Sequence, residues 1–215
     1  MSSRTTMFVL VMLAAVALLL NCADVPSTGP APPDLRAQFR FIHAAKDLGA
    51  VEVKVDGVSQ GSVSFQGSTS YKEFPAGSRN VTLSSGERVP FAMATNQRGT
   101  VVILPAASGA AHEFLGLSER RIFDSPQTAV RFVNLNSVYE VDVTMIAGTD
   151  TISATGLAFK EASSYKAAKR GTYAIRVTRV GGATVVASST LDVSTSHTST
   201  TLGDSTAVVA NFADN

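Results

Sequence analysis

Apolar and polar residues alternate in two widely separated segments of the chain. Residues 51–55 read Val-Glu-Val-Lys-Val, and residues 174–178 read Ala-Ile-Arg-Val-Thr. A period of two puts the apolar side chains on one face of a β-strand and the polar side chains on the other. Each segment is therefore predicted to be a strand with one buried face and one solvated face.

Tight-turn sequences follow such segments. Asp56-Gly57 and Gly181-Gly182 are pairs that tolerate the positive φ angles of β-hairpins. Outside residues 7–20, no window carries the 3.6-residue apolar period of an amphipathic helix. The pattern predicts an all-β fold.

The chain also matches itself at an offset of about 90 residues, which is the signature of an internal repeat. The matched segments are 39–43 and 130–134, 51–55 and 141–145, 70–72 and 164–166, 80–83 and 174–177, and 100–103 and 206–209. Short strands that recur in the same order predict two tandem immunoglobulin-like β-sandwich domains. We place them at residues 38–120 and 129–215, with a linker at 121–128.

The two repeats are predicted to end differently. The first continues past residues 100–103 into another apolar run at 114–117, whereas the second stops soon after residues 206–209. We therefore expect the second repeat to lack a terminal strand or to leave one sheet edge unpaired. An unpaired edge is a template for pairing with another chain.

Three segments of the first repeat carry a family resemblance. Residues 40–45 read Arg-Phe-Ile-His-Ala-Ala, residues 51–57 read Val-Glu-Val-Lys-Val-Asp-Gly, and residues 71–77 read Tyr-Lys-Glu-Phe-Pro-Ala-Gly. They resemble domain-of-unknown-function family 4397. The resemblance implies a bacterial, secreted or lipid-anchored protein built of tandem β-sandwich repeats, and it implies no activity. The second repeat diverges, with Asn134 where the first has His43.

The start of the chain predicts a destination. Residues 1–6 are polar, residues 7–20 are uniformly apolar, and the only cysteine, Cys22, follows. Such a run is too short to span a bilayer and is typical of a secretory signal. The segment resembles the lipobox of bacterial lipoproteins, although Asn21 departs from its usual small residue. We expect a lipoprotein signal peptide at 1–21 and lipidation of Cys22; the alternative is an ordinary signal peptide, with Cys22 removed or left as a free thiol.

Residues 22–37 contain Pro26, Pro30, Pro32 and Pro33 and are predicted to be a Pro-rich tether. Each buried lipid methylene contributes about 0.8 kcal/mol, so several acyl chains would hold Cys22 stably in a membrane. The predicted location is therefore the cell envelope: the outer membrane or periplasmic face of a diderm organism, or the extracellular face of a monoderm one.

Charge and motifs limit the function classes. Eighteen basic and 17 acidic residues give a net charge of +1, which argues against a nucleic-acid partner because such proteins carry basic stripes. Residues 57–61 match the G-x-S-x-G pattern of hydrolases, but that motif needs a strand-turn-helix context, and a hairpin is favoured here. His43, His112 and His197 lack metal-ligand spacing. We expect no catalytic, cofactor or metal site.

Matched polar residues have structural interpretations as well as functional ones. Arg40 is predicted to face Glu52 across a hairpin, and Arg131 to face Asp142, as cross-strand ion pairs. Matched tyrosines, Tyr71 and Tyr165, could stack on a sugar; the favoured alternative is a buried ring with its hydroxyl bonded to the backbone.

The leading hypothesis is a non-enzymatic, lipid-anchored envelope protein that acts as a binding or structural module. Two alternatives remain: an adhesion or carbohydrate-binding module, and an accessory subunit of an envelope enzyme. The membrane is the expected partner through Cys22, and a protein or glycan partner is open.

Overall fold

The computed structural model describes residues 35–106, 111–119, 128–195, 197–202 and 207–214. All regular elements in these ranges are β-strands, so the prediction of an all-β fold is confirmed. Within the same ranges, no helix is long and apolar enough to cross a membrane. The predicted signal peptide, Cys22 and almost all of the predicted tether and linker lie outside the described residues.

The first half of the described chain contains eight strands in two four-stranded sheets, with the orders β4-β1-β7-β8 and β3-β2-β5-β6. The strands are β1 (Arg36–His43), β2 (Val51–Val55), β3 (Val58–Val63), β4 (Lys72–Pro75), β5 (Gly77–Leu83), β6 (Arg88–Met93), β7 (Arg98–Ile103) and β8 (Phe114–Ser118). Neighbouring strands are antiparallel except for β1 and β7, which run parallel.

The second half contains eight strands with the corresponding orders β12-β9-β15-β16 and β11-β10-β13-β14. The strands are β9 (Thr128–Asn134), β10 (Val141–Ala147), β11 (Asp150–Leu157), β12 (Lys166–Ala168), β13 (Gly171–Arg179), β14 (Val185–Val193), β15 (His197–Leu202) and β16 (Val208–Ala213). Here β9 and β15 are the parallel pair.

The strand order corrects the predicted end of the second half. In the parallel pairs, Arg40 lies opposite Thr100 and Arg131 lies opposite Thr198. The counterpart of β7 is therefore β15, and matching residues 100–103 with 206–209 was wrong. Strand β16 pairs with β15 as β8 pairs with β7, so the prediction of a missing terminal strand was also wrong. Hydroxyl-rich β15 lacks the apolar run that would have identified it as a strand.

Each half has an apolar core between its two sheets. The alternation predicted for residues 51–55 is present, because Val51, Val53 and Val55 are buried while the intervening side chains are partly exposed. Asp56 and Gly57 form the hairpin turn after this strand, with φ angles of 50° and 84°. The predicted hairpin is thereby confirmed.

Strands β1, β7 and β9 are buried on both faces. On β1, Phe39 and Phe41 face the core of the first half, whereas Ile42 belongs to a separate apolar cluster. That cluster combines residues of both halves: Ile42, Ala44, Val102, Leu104 and Leu117 from the first, and Val133, Leu135, Ala210 and Phe212 from the second. Residues of the two halves therefore share a buried interface inside the compact unit Leu35–Asn215.

Candidate functional site

A group of polar side chains lies beside this shared apolar cluster, and we call it the junction. Its members are Arg40, Thr100, Glu119, Arg131, Thr198 and Asp214, together with the rings of Tyr71 and Tyr165. The six non-aromatic members are at most 4% exposed. Such extensive burial of charge and hydroxyl groups requires that they be paired with one another.

The two arginines occupy equivalent places on strands β1 and β9. Each donates a hydrogen bond from Nε to the threonine opposite it on the parallel neighbour. The distances are 2.9 Å from Arg40 to Oγ1 of Thr100 and 3.0 Å from Arg131 to Oγ1 of Thr198. The register of the parallel strands therefore fixes the direction of each guanidinium.

The end of each guanidinium reaches into the opposite half. Arg40 donates from Nη1 to the carbonyl of Ala213 and from Nη2 to Oδ1 of Asp214. Arg131 donates from Nη1 to the carbonyl of Ser118 at 2.7 Å, and its Nη2 lies 3.7 Å from Oε1 of Glu119. Each arginine thus hydrogen-bonds the carbonyl before the acidic residue that follows the other half's last strand. Arg40 also hydrogen-bonds that acid, whereas Arg131 forms only an ion pair with it.

The two carboxylates are also bound by hydroxyl groups of their own half. Thr100 and Tyr71 donate hydrogen bonds to Glu119. Thr198 donates to Oδ2 of Asp214 at 2.9 Å, and the Tyr165 hydroxyl donates to the same oxygen at 3.0 Å. Bonds from arginine and hydroxyl donors stabilise the ionised form of a carboxylate that is removed from water.

The tyrosines lie against the guanidinium groups. The Cζ atoms of Arg40 and Arg98 are 4.8 and 3.9 Å from the centre of the Tyr71 ring, and that of Arg131 is 4.9 Å from the Tyr165 ring. These are cation–π distances. The hydroxyls bind carboxylates, so the prediction that they bind the backbone was wrong.

Burial raises the pKa of both tyrosine hydroxyls well above the ordinary value of 10, against the opposing effect of the neighbouring arginine. The nearby carboxylates of Glu119 and Asp214 raise the pKa further. Both side chains therefore keep their protons and remain hydrogen-bond donors near neutral pH. They are not poised as nucleophiles or bases.

The predicted pairs of arginine with Glu52 and Asp142 do not form. Strands β1 and β2 belong to different sheets, so Arg40 cannot face Glu52 across a hairpin. Glu52 instead pairs with Lys54 at 3.2 Å, and Oδ1 of Asp142 accepts the Gly156 amide at 2.8 Å. Serine and lysine hydrogen bonds lower the pKa of Glu52, which lies at the surface.

His43 ends strand β1, and it is fully buried. Its Nδ1 accepts the Ala45 amide at 3.2 Å, and its Nε2 lies 2.9 Å from the Gly49 carbonyl. Asn134 makes the same kind of bonds, accepting the Asn136 amide at 3.0 Å and donating to the Tyr139 carbonyl at 2.7 Å. His43 and Asn134 occupy equivalent positions and thus have the same role: each fixes the loop after the first strand of its half.

The other two histidines lie at separate places. His112 is placed between Glu87, at 2.6 Å, and Asp47, at 3.1 Å. Nδ1 of His197 lies 2.8 Å from the Thr195 carbonyl. In the ranges that the structure describes, no three histidine, cysteine or acidic side chains are grouped to hold a metal ion.

The residues of the G-x-S-x-G match lie on the β2–β3 hairpin. Gly57 is in the turn, and Ser59 is a residue of β3 paired with Lys54. A strand leads directly into another strand here, so the serine does not have the strand-turn-helix setting of a hydrolase nucleophile. The interpretation as a hairpin is confirmed.

A cavity of about 240 Å³ opens in the second half, lined by Asp150, Thr151, Ile152, Ala167, Ala168, Lys169 and Tyr173. By strand register, Ala168 is the counterpart of Phe74, whose ring packs edge-on against Phe41 in the first half. The small side chain at Ala168 therefore leaves space at this position. An ion pair of 3.0 Å joins Lys169 and Asp150 on the cavity wall.

Sequence reasoning identified the arginines and tyrosines of the junction as matched pairs but missed Thr100, Thr198, Glu119 and Asp214. A signal for the two acids was available. Each acid directly follows the last strand of its half, and strand β8 was recognisable as an apolar run. Misplacement of β15 and β16 concealed the equivalence.

The model of the family described as "Domain of unknown function (DUF4397)" matches residues 37–144. The chain belongs to this family. The resemblance found in residues 40–77 is therefore confirmed, and the DUF4397 match includes Arg40, Thr100, Glu119 and Arg131 of the junction.

Among solved structures, the chain is similar to the N-terminal domain of AlgF from P. aeruginosa, with 22% identity over 40% of this chain and 98% of that one and a TM-score of 0.31. It is also similar to the Bacillus anthracis TIE protein, with 9% identity over 76% of this chain and 33% of that one and a TM-score of 0.26. No curated protein matches this member of the DUF4397 family.

Proposed function

We propose that this chain is a lipid-anchored, non-enzymatic protein of the bacterial cell envelope. In this proposal Cys22 carries the lipid, residues 22–37 form the tether, and two tandem immunoglobulin-like β-sandwiches form a binding or structural module. The apolar run at 7–20 followed at once by the only cysteine supports the anchor. The membrane is then the partner through Cys22.

The observation that carries the non-enzymatic part of the proposal is that the polar groups of the junction pair with one another. Its arginines, carboxylates and hydroxyls bind one another within each half, and the arginines also pair with the carboxylates of the opposite half. A catalytic site needs groups that face a substrate. These groups instead hold two β-structures in one fixed relation, as a rigid spacer or binding module requires.

The exposed side chains support a module that does not bind glycans through stacking of aromatic rings on sugars. The large apolar side chains exposed in the described ranges are all aliphatic: Leu35, Val58, Val138, Ile146, Val180 and Val185. The tyrosines that were candidates for sugar contact, Tyr71 and Tyr165, are engaged in the junction. A protein partner fits this surface better than a carbohydrate.

The anchor is tested by metabolic labelling with a fatty acid in a bacterial host. We expect label on the wild-type chain, and loss of label with release from membranes in Cys22→Ala. Ser27→Ala, in the predicted tether, is the matched control and should stay labelled. A wild-type chain that takes up no lipid, or a Cys22→Ala chain that keeps its label, would exclude the anchor.

A further inference from the structure

The two surfaces that meet at the junction are chemically equivalent. Arg40 binds Asp214 and the Ala213 carbonyl of the second half, and Arg131 binds the Ser118 carbonyl and lies beside Glu119 of the first. The arginine-to-carbonyl hydrogen bond and the arginine–carboxylate ion pair therefore each occur twice, with the roles of the halves exchanged. This is the property of an isologous interface, in which one patch pairs with a copy of itself.

The apolar part of the interface has the same symmetry. Ile42 and Val133 follow the equivalent arginines by two residues, and Leu117 and Phe212 are the residues opposite Thr100 and Thr198 in the last strand pair. All four belong to the cluster shared by the halves. The approximate two-fold relation thus extends from the charged centre to its apolar surroundings.

An opened junction would expose surfaces that need a partner. Arg40, Glu119 and Asp214 have almost no exposure in the closed form, and a buried charge that loses one partner is strongly destabilised. The matching surface is available from the other half of the same chain and from the corresponding half of another copy. The direct chain connection between the halves is residues 120–127.

We infer that this chain forms a half-exchanged dimer with a second copy of itself, in which each first half pairs with the second half of the other chain. Both junctions of that dimer contain the same contacts as the single chain. Within one chain the linker gives a high effective concentration, so the single chain is favoured in dilute solution. The exchanged dimer forms when chains fold together at high concentration.

An exposed ion pair that crosses between the halves allows a direct test. Lys160 pairs with Glu113 across the interface. We would make two full-length chains with different tags, one carrying Lys160→Gln and the other Glu113→Gln, unfold them and refold them together. A carbodiimide joins an ammonium to a carboxylate in direct contact. Neither variant chain has both groups, so a 113–160 cross-link requires exchange between chains.

The expected product is a cross-linked species of twice the chain mass that carries both tags and contains the joined 113–160 peptide. Its yield should rise with protein concentration during refolding, and it should be absent when the two variants are mixed after folding. Wild-type chain treated alone should give the 113–160 link within one chain, which verifies the chemistry. Absence of the mixed product at the highest concentration, with that verification positive, overturns the inference.

A second pair of variants favours exchange instead of only detecting it. Arg40→Asp is added to the Lys160→Gln chain, and Asp214→Arg is added to the Glu113→Gln chain. Each chain alone then has two like charges at the junction, whereas the mixed dimer restores opposite charges at both junctions. We expect the mixed product to increase several-fold on co-expression. The control is the exposed ion pair of Arg79 and Asp56, which lies within the first half. Reversing the charges of this pair in the same way should give no increase in the mixed product.

Discussion

Removal of the Arg40 guanidinium should destabilise the protein far more than removal of a surface charge. Arg40→Met keeps much of the side-chain volume but leaves Asp214 without its arginine and Thr100 without its Nε donor. Breaking one partner of a buried ion pair costs about 3–5 kcal/mol. The total stability of a domain is about 5–15 kcal/mol, so this one change removes a large share of it.

The assay is chemical and thermal unfolding of the compact unit Leu35–Asn215, with and without Arg40→Met. For a unit of this size, the expected loss corresponds to a fall in Tm of roughly 6–20 °C. Lys54→Met is the control because Lys54 forms an exposed pair with Glu52, and such pairs contribute about 0–1 kcal/mol. Equal destabilisation by the two changes would refute our account of the junction.

A double-mutant cycle separates the pair from general loss of packing. Asp214→Leu alone should also be strongly destabilising, because it removes the carboxylate that the buried Arg40 guanidinium hydrogen-bonds and leaves only Glu119, at 3.6 Å. Combined with Arg40→Met, it should restore part of the stability, since two apolar groups then face each other. Strictly additive losses would show that the two residues do not act as a pair.

Two further predictions concern hydroxyl and imidazole groups. Burial raises the pKa of Tyr71 and Tyr165, so their hydroxyls bind protons more tightly in the folded protein than in the unfolded chain. The resulting stabilisation of the fold is complete below pH 10 and is lost as pH rises above it. Unfolding measured from pH 9 to pH 12 should show a decline that is weaker in the double Tyr→Phe variant; an unchanged slope would contradict this. His43→Leu should cost about 1–3 kcal/mol by leaving the Ala45 amide and Gly49 carbonyl unpaired, whereas His43→Asn should retain most of the stability, as Asn134 does at the equivalent position. Equal losses in thermal melts of the two variants would contradict the shared role.

Local patterns identified strands where one face is buried and the other is solvated. Residues 51–55 and 174–178 were recognisable because their polar and apolar positions alternate, and the Asp56-Gly57 turn fixed a hairpin between neighbours. The same reasoning failed for β15, whose sequence is His-Thr-Ser-Thr-Thr-Leu. Its threonines are buried, and their hydroxyls bond within the second half, as Thr198 does to Asp214 and Thr200 to the Ala210 carbonyl.

The ion pairs were wrongly assigned for a related reason. Arg40 and Glu52 are close in sequence and on consecutive strands, and consecutive strands often form hairpins. Here the chain crosses from one sheet to the other between β1 and β2, so Glu52 and Arg40 lie in different sheets. Its actual partner, Asp214, is 174 residues away.

The sequence by itself determined the all-β character and the succession of most strands along the chain, because those depend on side-chain periodicity and turn residues within short segments. The family followed from the resemblance of residues 40–77. Only the tertiary structure decided which residues form the junction. Its contacts depend on the parallel register of β1 with β7 and of β9 with β15, and on one half covering the other. Pairing across such distances is set by the packing of whole sheets, and no local pattern of residues encodes it.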